Sequence, residues 1–188
     1  MVIAYPISQQ LTLQEFLQLP EIKPAREYVH GKISQKPMPQ GEHSRIQSRL
    51  CAKINNISES QKLALALTEI RCTFVERSIV PDIAVFSWER IPRTETGRLA
   101  NKFTIAPDWT IEILFPDQSS TQVIDNILSC IRQGTKLGWL IDSKEELVMI
   151  FKPNSLPEIK SGEERLPAIA DLENWQLSAR EMFSWLVL

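Results

Sequence analysis

The stretch from Trp109 to Asp142 constrains this chain more than any other. The run Trp109-Thr-Ile-Glu-Ile-Leu-Phe is followed by a segment of helical length and then by Leu137-Gly-Trp-Leu-Ile-Asp. In the first run Trp109, Ile111, Ile113 and Phe115 alternate to one side and Thr110, Glu112 and Leu114 to the other, as a strand requires. Pro116-Asp117-Gln118-Ser119-Ser120 forms a turn with candidate caps for a helix from about Thr121 to Gln133, which stops at Gly134. A strand, helix and strand of this length make a crossover unit. The expected fold is therefore α/β (mixed α+β), with a central mixed sheet flanked by helices rather than an all-β barrel. Leu147 to Phe151 pairs with the second strand across Ser143-Lys-Glu-Glu as a hairpin.

The remaining elements fit around this unit. Thr12 stands three residues before Glu15, the spacing of a capping box for a short first helix that Pro20 and Pro24 limit. Residues 27 to 34 read as strand, turn and strand, and Lys36-Pro-Met-Pro-Gln-Gly leads as a loop to Glu42. From His43 to about Ile57, Ile46, Leu50, Ile54 and Ile57 recur at helical steps, while Arg45, Arg49 and Lys53 form a basic row on another side. Residues 63 to 75 are strand-like, with a break near Thr68-Glu69. After a turn at Glu76-Arg77-Ser78, Ile79 to Phe86 is another strand, carrying Asp82 behind Pro81, and these pieces suggest a meander. Residues 87 to 104 are a long excursion over one mouth of the fold. The stretch Leu177 to Leu188 is expected to be a packing helix. No internal repeat or linker asks for a second domain, so residues 1 to 188 are expected to form one.

Composition narrows the function classes. The 188 residues contain 21 Lys and Arg against 23 Asp and Glu, and 43% are hydrophobic, which excludes a strongly basic DNA-coating protein and a disordered acidic chain. The acidic excess lies in residues 142 to 188, which hold nine acids and five bases; residues 1 to 141 hold 14 acids and 16 bases. Near-neutrality overall is thus compatible with a local basic row beside an acidic site. No stretch approaches a membrane span and the N-terminus lacks a signal-peptide pattern, so a cytoplasmic location without membrane association is expected. Cys51, Cys72 and Cys130 are odd in number and form no close pair, which suggests small apolar packers rather than disulfides or zinc ligands. Trp109, Trp139 and Trp185 lie in apolar runs and are expected in the core.

Three carboxylates stand out by placement: Glu42 at a helix start, Asp82 at a strand start and Glu112 inside an apolar strand. If they converge they could hold Mg2+ or Mn2+, because hard cations select carboxylate and water oxygens. Burial of Glu112 would require a cation, a proton or strong donors beside it. The ordinary alternatives are a carboxylate on an open sheet face for Glu112 and a solvated turn residue for Asp82. A metal so held could activate water and offset the charge growing on a scissile phosphate, with Arg45, Arg49 or Arg71 contacting phosphate oxygens. The basic row could equally be a plain solvated helix face. His43 could carry a proton or simply support structure; His30, in a hairpin, has the weaker claim. There is no phosphate-binding glycine loop, no His-Glu-x-x-His, no Cys-x-x-Cys and no Gly-x-Ser-x-Gly elbow.

Glu27-Tyr-Val-His-Gly-Lys-Ile, Gly41-Glu-His-Ser-Arg-Ile, Val80-Pro-Asp-Ile-Ala-Val-Phe, Ile111-Glu-Ile-Leu-Phe-Pro-Asp-Gln-Ser and Gly138-Trp-Leu-Ile-Asp together resemble the Uma-two family of restriction-endonuclease-type proteins, abundant in cyanobacteria. The family is placed in the PD-(D/E)xK nuclease superfamily, and the resemblance runs from about residue 10 to 186. It implies a restriction-endonuclease-like core with a divalent-metal site at one edge, DNA as partner, and a homodimer. It also implies Glu42, Asp82 and Glu112 as catalytic and metal residues. Two departures accompany it. Leu114 stands where the superfamily pattern has its lysine, and Asn126 stands where this family has moved that lysine onto the following helix. The resemblance therefore implies either a divalent-metal-dependent DNA endonuclease that lacks the usual lysine or an inactive, nucleic-acid-binding or regulatory descendant.

Overall fold

The computed structural model describes residues 11–116, 118–172 and 174–188. The crossover unit is present as expected. Strand β7 (Trp109–Ile113) lies parallel to β8 (Leu137–Asp142), with Trp109 opposite Leu137 and Ile113 opposite Ile141, and α3 (Ser120–Arg132) joins them. The turn expected between Pro116 and Ser120 includes Asp117, which lies outside the described residues. The hairpin partner β9 (Leu147–Phe151) is antiparallel to β8, and β10 (Glu158–Ser161), not foreseen from sequence, extends the sheet beyond it. On the other side β6 (Ile83–Ser87) and β3 (Ala64–Thr68) complete a mixed sheet of order β10-β9-β8-β7-β6-β3. Both faces of β7 are buried. A strand covered on both sides is what an α/β sheet requires and an open meander does not.

Helix α2 (Gly41–Ser58) covers one face with Ile46, Leu50 and Ile54, together with Met182 and Phe183 of the short α4 (Ala179–Ser184). The closing stretch is therefore helical over a shorter span than expected, and Trp185 packs after the helix ends. Trp109 and Trp139 meet edge to face at 4.8 Å in this core. Val123 and Ile127 of α3 cover the other face at Leu140 and Phe151. There Ile127 leans directly on Gly138: a Cβ at that glycine would overlap Ile127 Cγ2. Gly138→Ala is accordingly expected to lower stability by about 1–3 kcal/mol, the usual cost of overpacking, as read by denaturant unfolding.

A second, antiparallel sheet has the order β2-β1-β5-β4, made of β1 (Arg26–Val29), β2 (Lys32–Gln35), β4 (Cys72–Phe74) and β5 (Arg77–Ile79). The capping box on Thr12 closes α1 (Leu13–Gln18), whose Phe16 ring lies 5.5 Å from that of Tyr28 on β1. Here the sequence expectation is corrected. Arg77-Ser78 is strand, not turn, and the run Ile79 to Phe86 is two strands in two sheets, broken at Val80-Pro81-Asp82. Pro81 has no N–H to give a ladder. The N–H of Val80 donates instead to Glu27 Oε1 at 2.8 Å, so the chain leaves one sheet and enters the other with Asp82 at the junction. Residues 88–90 form a single 3-10 turn in the excursion, whose Phe103 is buried against Phe86 and Cys72. Cys72 and Cys130 are buried free thiols in that cluster, and Cys51 is half-buried. Among the described residues no helix is long and apolar enough to cross a membrane.

Candidate functional site

The sheet junction fixes Asp82. β6 and β7 pair antiparallel with Ile83 opposite Ile111, and one residue before this ladder the Asp82 carboxylate takes over a strand's task. Its Oδ2 accepts the Ile113 N–H at 2.8 Å. The Asp82 carbonyl accepts from Gln47 Nε2 at 2.9 Å, tying the same residue to α2. Glu112, alternating away from Ile111 and Ile113, thereby stands beside Asp82. Both acids are almost fully buried.

Their cation is Lys36, which sequence reasoning left in a loop. Lys36 follows β2, and its backbone N–H donates to Ala25 O at 2.9 Å. Its Nζ donates to Val80 O at 2.8 Å, Asp82 Oδ1 at 2.6 Å and Glu112 Oε2 at 3.2 Å. These three acceptors match the three protons of an ammonium. Oε1 of Glu112 is buried without a hydrogen-bond partner among the described residues.

The electrostatics divide the two acids. Burial alone would push Asp82 up, but the Lys36 ammonium, helped by His43, overrides it and holds the carboxyl down at about 2. Burial pushes Glu112 up to about 8 against the pull of Lys36, with the Asp82 and Glu27 carboxylates adding to the rise. For Lys36, burial is outweighed by the facing charges of Glu112, Asp82 and Glu27, which raise it above the usual lysine range.

Behind the pair lies a second polar network. Glu27 Oε1 accepts from Val80 N and Oε2 from Asn126 Nδ2 at 3.1 Å. Arg77 Nη1 donates to Asn126 Oδ1 at 3.4 Å and Nη2 to Asp125 Oδ2 at 2.8 Å. Asn126 thus bridges Glu27 and Arg77, and Leu114 packs against the Val123 and Ile127 cluster of α3. On the open side, His43 stacks on Phe115 at 4.4 Å, and its Nε2 comes within 3.1 Å of Asp82 Oδ2, out of line for a straight hydrogen bond. A cavity of about 520 Å³ reaches these groups, with Lys36, Met38, His43, Arg71, Asp82 and Phe115 on its wall.

Asp82 and Glu112 are brought together; Glu42 does not join them. Glu42 is exposed and accepts from Ser143 Oγ at 3.1 Å, while its neighbour His43 faces inward. Among the described residues no group of three or more His, Cys, Asp or Glu side chains assembles to hold a metal ion. The basic row of α2 faces the end of the chain. Arg45 Nε donates to Trp185 O at 3.1 Å, Arg49 lies over the Trp185 ring at 5.0 Å, and Lys53 pairs with Glu181 at 3.0 Å. Arg71 is held by both Glu21 oxygens at 2.8 Å and stands over the Phe16 ring. Lys36 and Glu27 are the residues sequence reasoning missed. The available signal was the vacancy itself, since two strand acids without a nearby base need a cation from elsewhere in the chain.

A mixed sheet with helices on both faces, and two buried acids meeting at a strand junction beside a cavity, define a restriction-endonuclease-like, PD-(D/E)xK-type architecture. The comparisons agree. The family model Uma2, described as "Putative restriction endonuclease", matches residues 13–180. The fold also matches a crystal structure from Anabaena variabilis described as a putative nuclease belonging to DUF820. That match has a TM-score of 0.93 and 52% sequence identity, and it covers 94% of this chain and 99% of that one. Among curated proteins none matches. The chain belongs to the Uma2 family.

Proposed function

We propose that this protein is a divalent-metal-dependent DNA endonuclease whose metal is held by Asp82 and Glu112. The observation that carries this reading is the meeting of two buried carboxylates at one cation, with Glu112 Oε1 left unpartnered among the described residues. That donor set fits Mg2+ or Mn2+: two hard oxygen ligands suffice when waters complete the shell, and the adjoining cavity gives water access. Glu42 has no part in this arrangement. Such an ion would supply an activated water and offset charge growing on the phosphate.

The protein's own groups set the geometry around it. The Ile113 N–H and the Gln47 amide hold Asp82 against rotation, so its carboxylate is preorganised. Glu27 fixes the backbone at Val80 and keeps the Pro-Asp segment in place. Lys36 places an ammonium beside both acids although Leu114 and Asn126 provide none. In the metal-free protein it neutralises the acid pair from outside the motif. His43 and Phe115 form one wall of the approach, where a nucleotide could lie against the stacked rings.

The test is cleavage of supercoiled and linear DNA with Mg2+ or Mn2+ and with EDTA. The expected result is metal-dependent nicking or cutting that EDTA abolishes. Metal-independent turnover, or no turnover on DNA with either ion, contradicts the proposal. Salt-sensitive DNA association without turnover would instead identify a binding descendant.

A further inference from the structure

We infer that Lys36 is a tethered counter-cation that fills the acid pair in the metal-free protein, and that a divalent ion binds only by displacing it. This rests on the proposed metal site and adds a means of regulating it. The ammonium of Lys36 has its full set of acceptors, and two of them, Asp82 Oδ1 and Glu112 Oε2, are the oxygens a metal would need. Its third acceptor is the backbone carbonyl of Val80, one residue before Pro81. The side chain therefore does more than neutralise the acids: it ties the loop after β2 to the sheet junction.

That loop borders open space. It leaves β2 at the edge of the smaller sheet and runs through Pro37 and Pro39 to the first turn of α2. Lys36, Pro37, Met38 and Pro39 all line the cavity, and Met38 is exposed, so an ammonium leaving the acids can move into open space. Asn126, by contrast, is buried between Glu27 and Arg77, and its amide is committed there. The positive charge in this chain sits on a loop at the cavity wall rather than on the packed helix. Ammonium and metal repel one another at such short range, so binding of one opposes the other.

The test is calorimetric titration of MnCl2 into the wild-type protein and into Lys36→Met, a variant of similar length without charge. The expected result is Mn2+ binding about tenfold or more tighter in the variant. Because removing the cation could impair folding, a second measurement uses the wild-type protein alone: lysine acetylation with an N-hydroxysuccinimide ester, read by peptide mass spectrometry. Lys36 should be protected without metal and become several-fold more reactive at saturating Mn2+. Equal Mn2+ affinity in the two proteins, no binding by either, or unchanged Lys36 labelling at saturation overturns the inference. If Lys36→Met binds Mn2+ at least tenfold tighter and Lys36 becomes reactive in the Mn2+-saturated wild type, yet the wild type does not cleave DNA, the displacement inference stands and the nuclease proposal falls. If the wild type cleaves and the affinities are equal, the reverse holds.

Discussion

Asp82→Ala is expected to lower folding stability by about 3–5 kcal/mol and to abolish metal-dependent cleavage. The stability loss has two sources. The Ile113 N–H, buried in the sheet, loses its acceptor, and the Lys36 ammonium loses its shortest carboxylate contact. Breaking one side of a buried ion pair costs more than the pair contributes, because the remaining charge stays in a poor solvent. Chemical denaturation measures the first effect and a plasmid-nicking assay the second. The pH dependence has a definite sign. The Asp82 carboxyl is held at about 2, below its ordinary 3.8, so its contribution is complete above about 3.8 and lost as pH falls through about 2. Asp82→Ala should therefore flatten the acid limb of the wild-type stability profile.

Glu112→Gln is expected to separate activity from stability. Cleavage should fall by about 10²–10³-fold or more, the scale of removing a group that stabilises developing charge. Stability should move little near pH 4.5 and increasingly in the variant's favour as pH rises towards 8. The Glu112 carboxyl is raised from 4.5 to about 8 because burial opposes its charge. A group raised in the folded state contributes stability that is complete below its ordinary value and lost as pH rises through the folded one. Across pH 4.5 to 8 the wild-type protein thus loses a contribution that the neutral glutamine never had. Thermal unfolding of both proteins between pH 5 and 9 checks this. A wild-type melting temperature that stays parallel to that of Glu112→Gln across the range would contradict the assignment.

Much of this fold could be read from local patterns. The run from Trp109 to Ile113 forms its strand, the helix after it stops before Gly134 although Ser119 at its start makes no side-chain cap bond, and Thr12 with Glu15 makes its capping box as spacing predicts. The break at Val80-Pro81-Asp82 was harder to see, because Ile79 to Phe86 is continuously apolar apart from Asp82. Its cause, the Glu27 carboxylate taking the Val80 N–H, lies 53 residues away in the chain. Strand β10 carries a half-polar sequence at a sheet edge, with Ile159 exposed, and so lacks the alternation that marks a strand.

The site was legible in part for the same reasons. Glu112 betrayed itself as an acid in an apolar strand, and Asp82 as an acid behind a strand-breaking proline. Glu42 and His43 are adjacent on a helix, about 100° apart, so only one of them can face the sheet, and the aromatic ring of Phe115 selects His43. Nothing in the spacing of Arg45, Arg49 and Lys53 reveals that Trp185 and Glu181 return to cover them. Lys36 was invisible because a lysine between a strand end and a proline is ordinarily solvated. Only tertiary structure brings it 46 residues forward to Asp82 and 76 to Glu112.

The departures at Leu114 and Asn126 acquire a physical meaning from this arrangement. Leu114 fills an apolar niche against α3, and Asn126 joins two buried charged residues by its carbonyl and amide ends. Neither position is an empty place awaiting an ammonium. In the metal-free protein the charge that balances the acids comes instead from Lys36, on the other side of the pair.

The most direct measurement is anomalous diffraction at the manganese edge from crystals of the full chain soaked in MnCl2. The account predicts a peak bound by the carboxylates of Asp82 and Glu112, with the Lys36 ammonium withdrawn from both. Lys36 unmoved between the two acids, with no manganese peak beside them at saturating MnCl2, would contradict it.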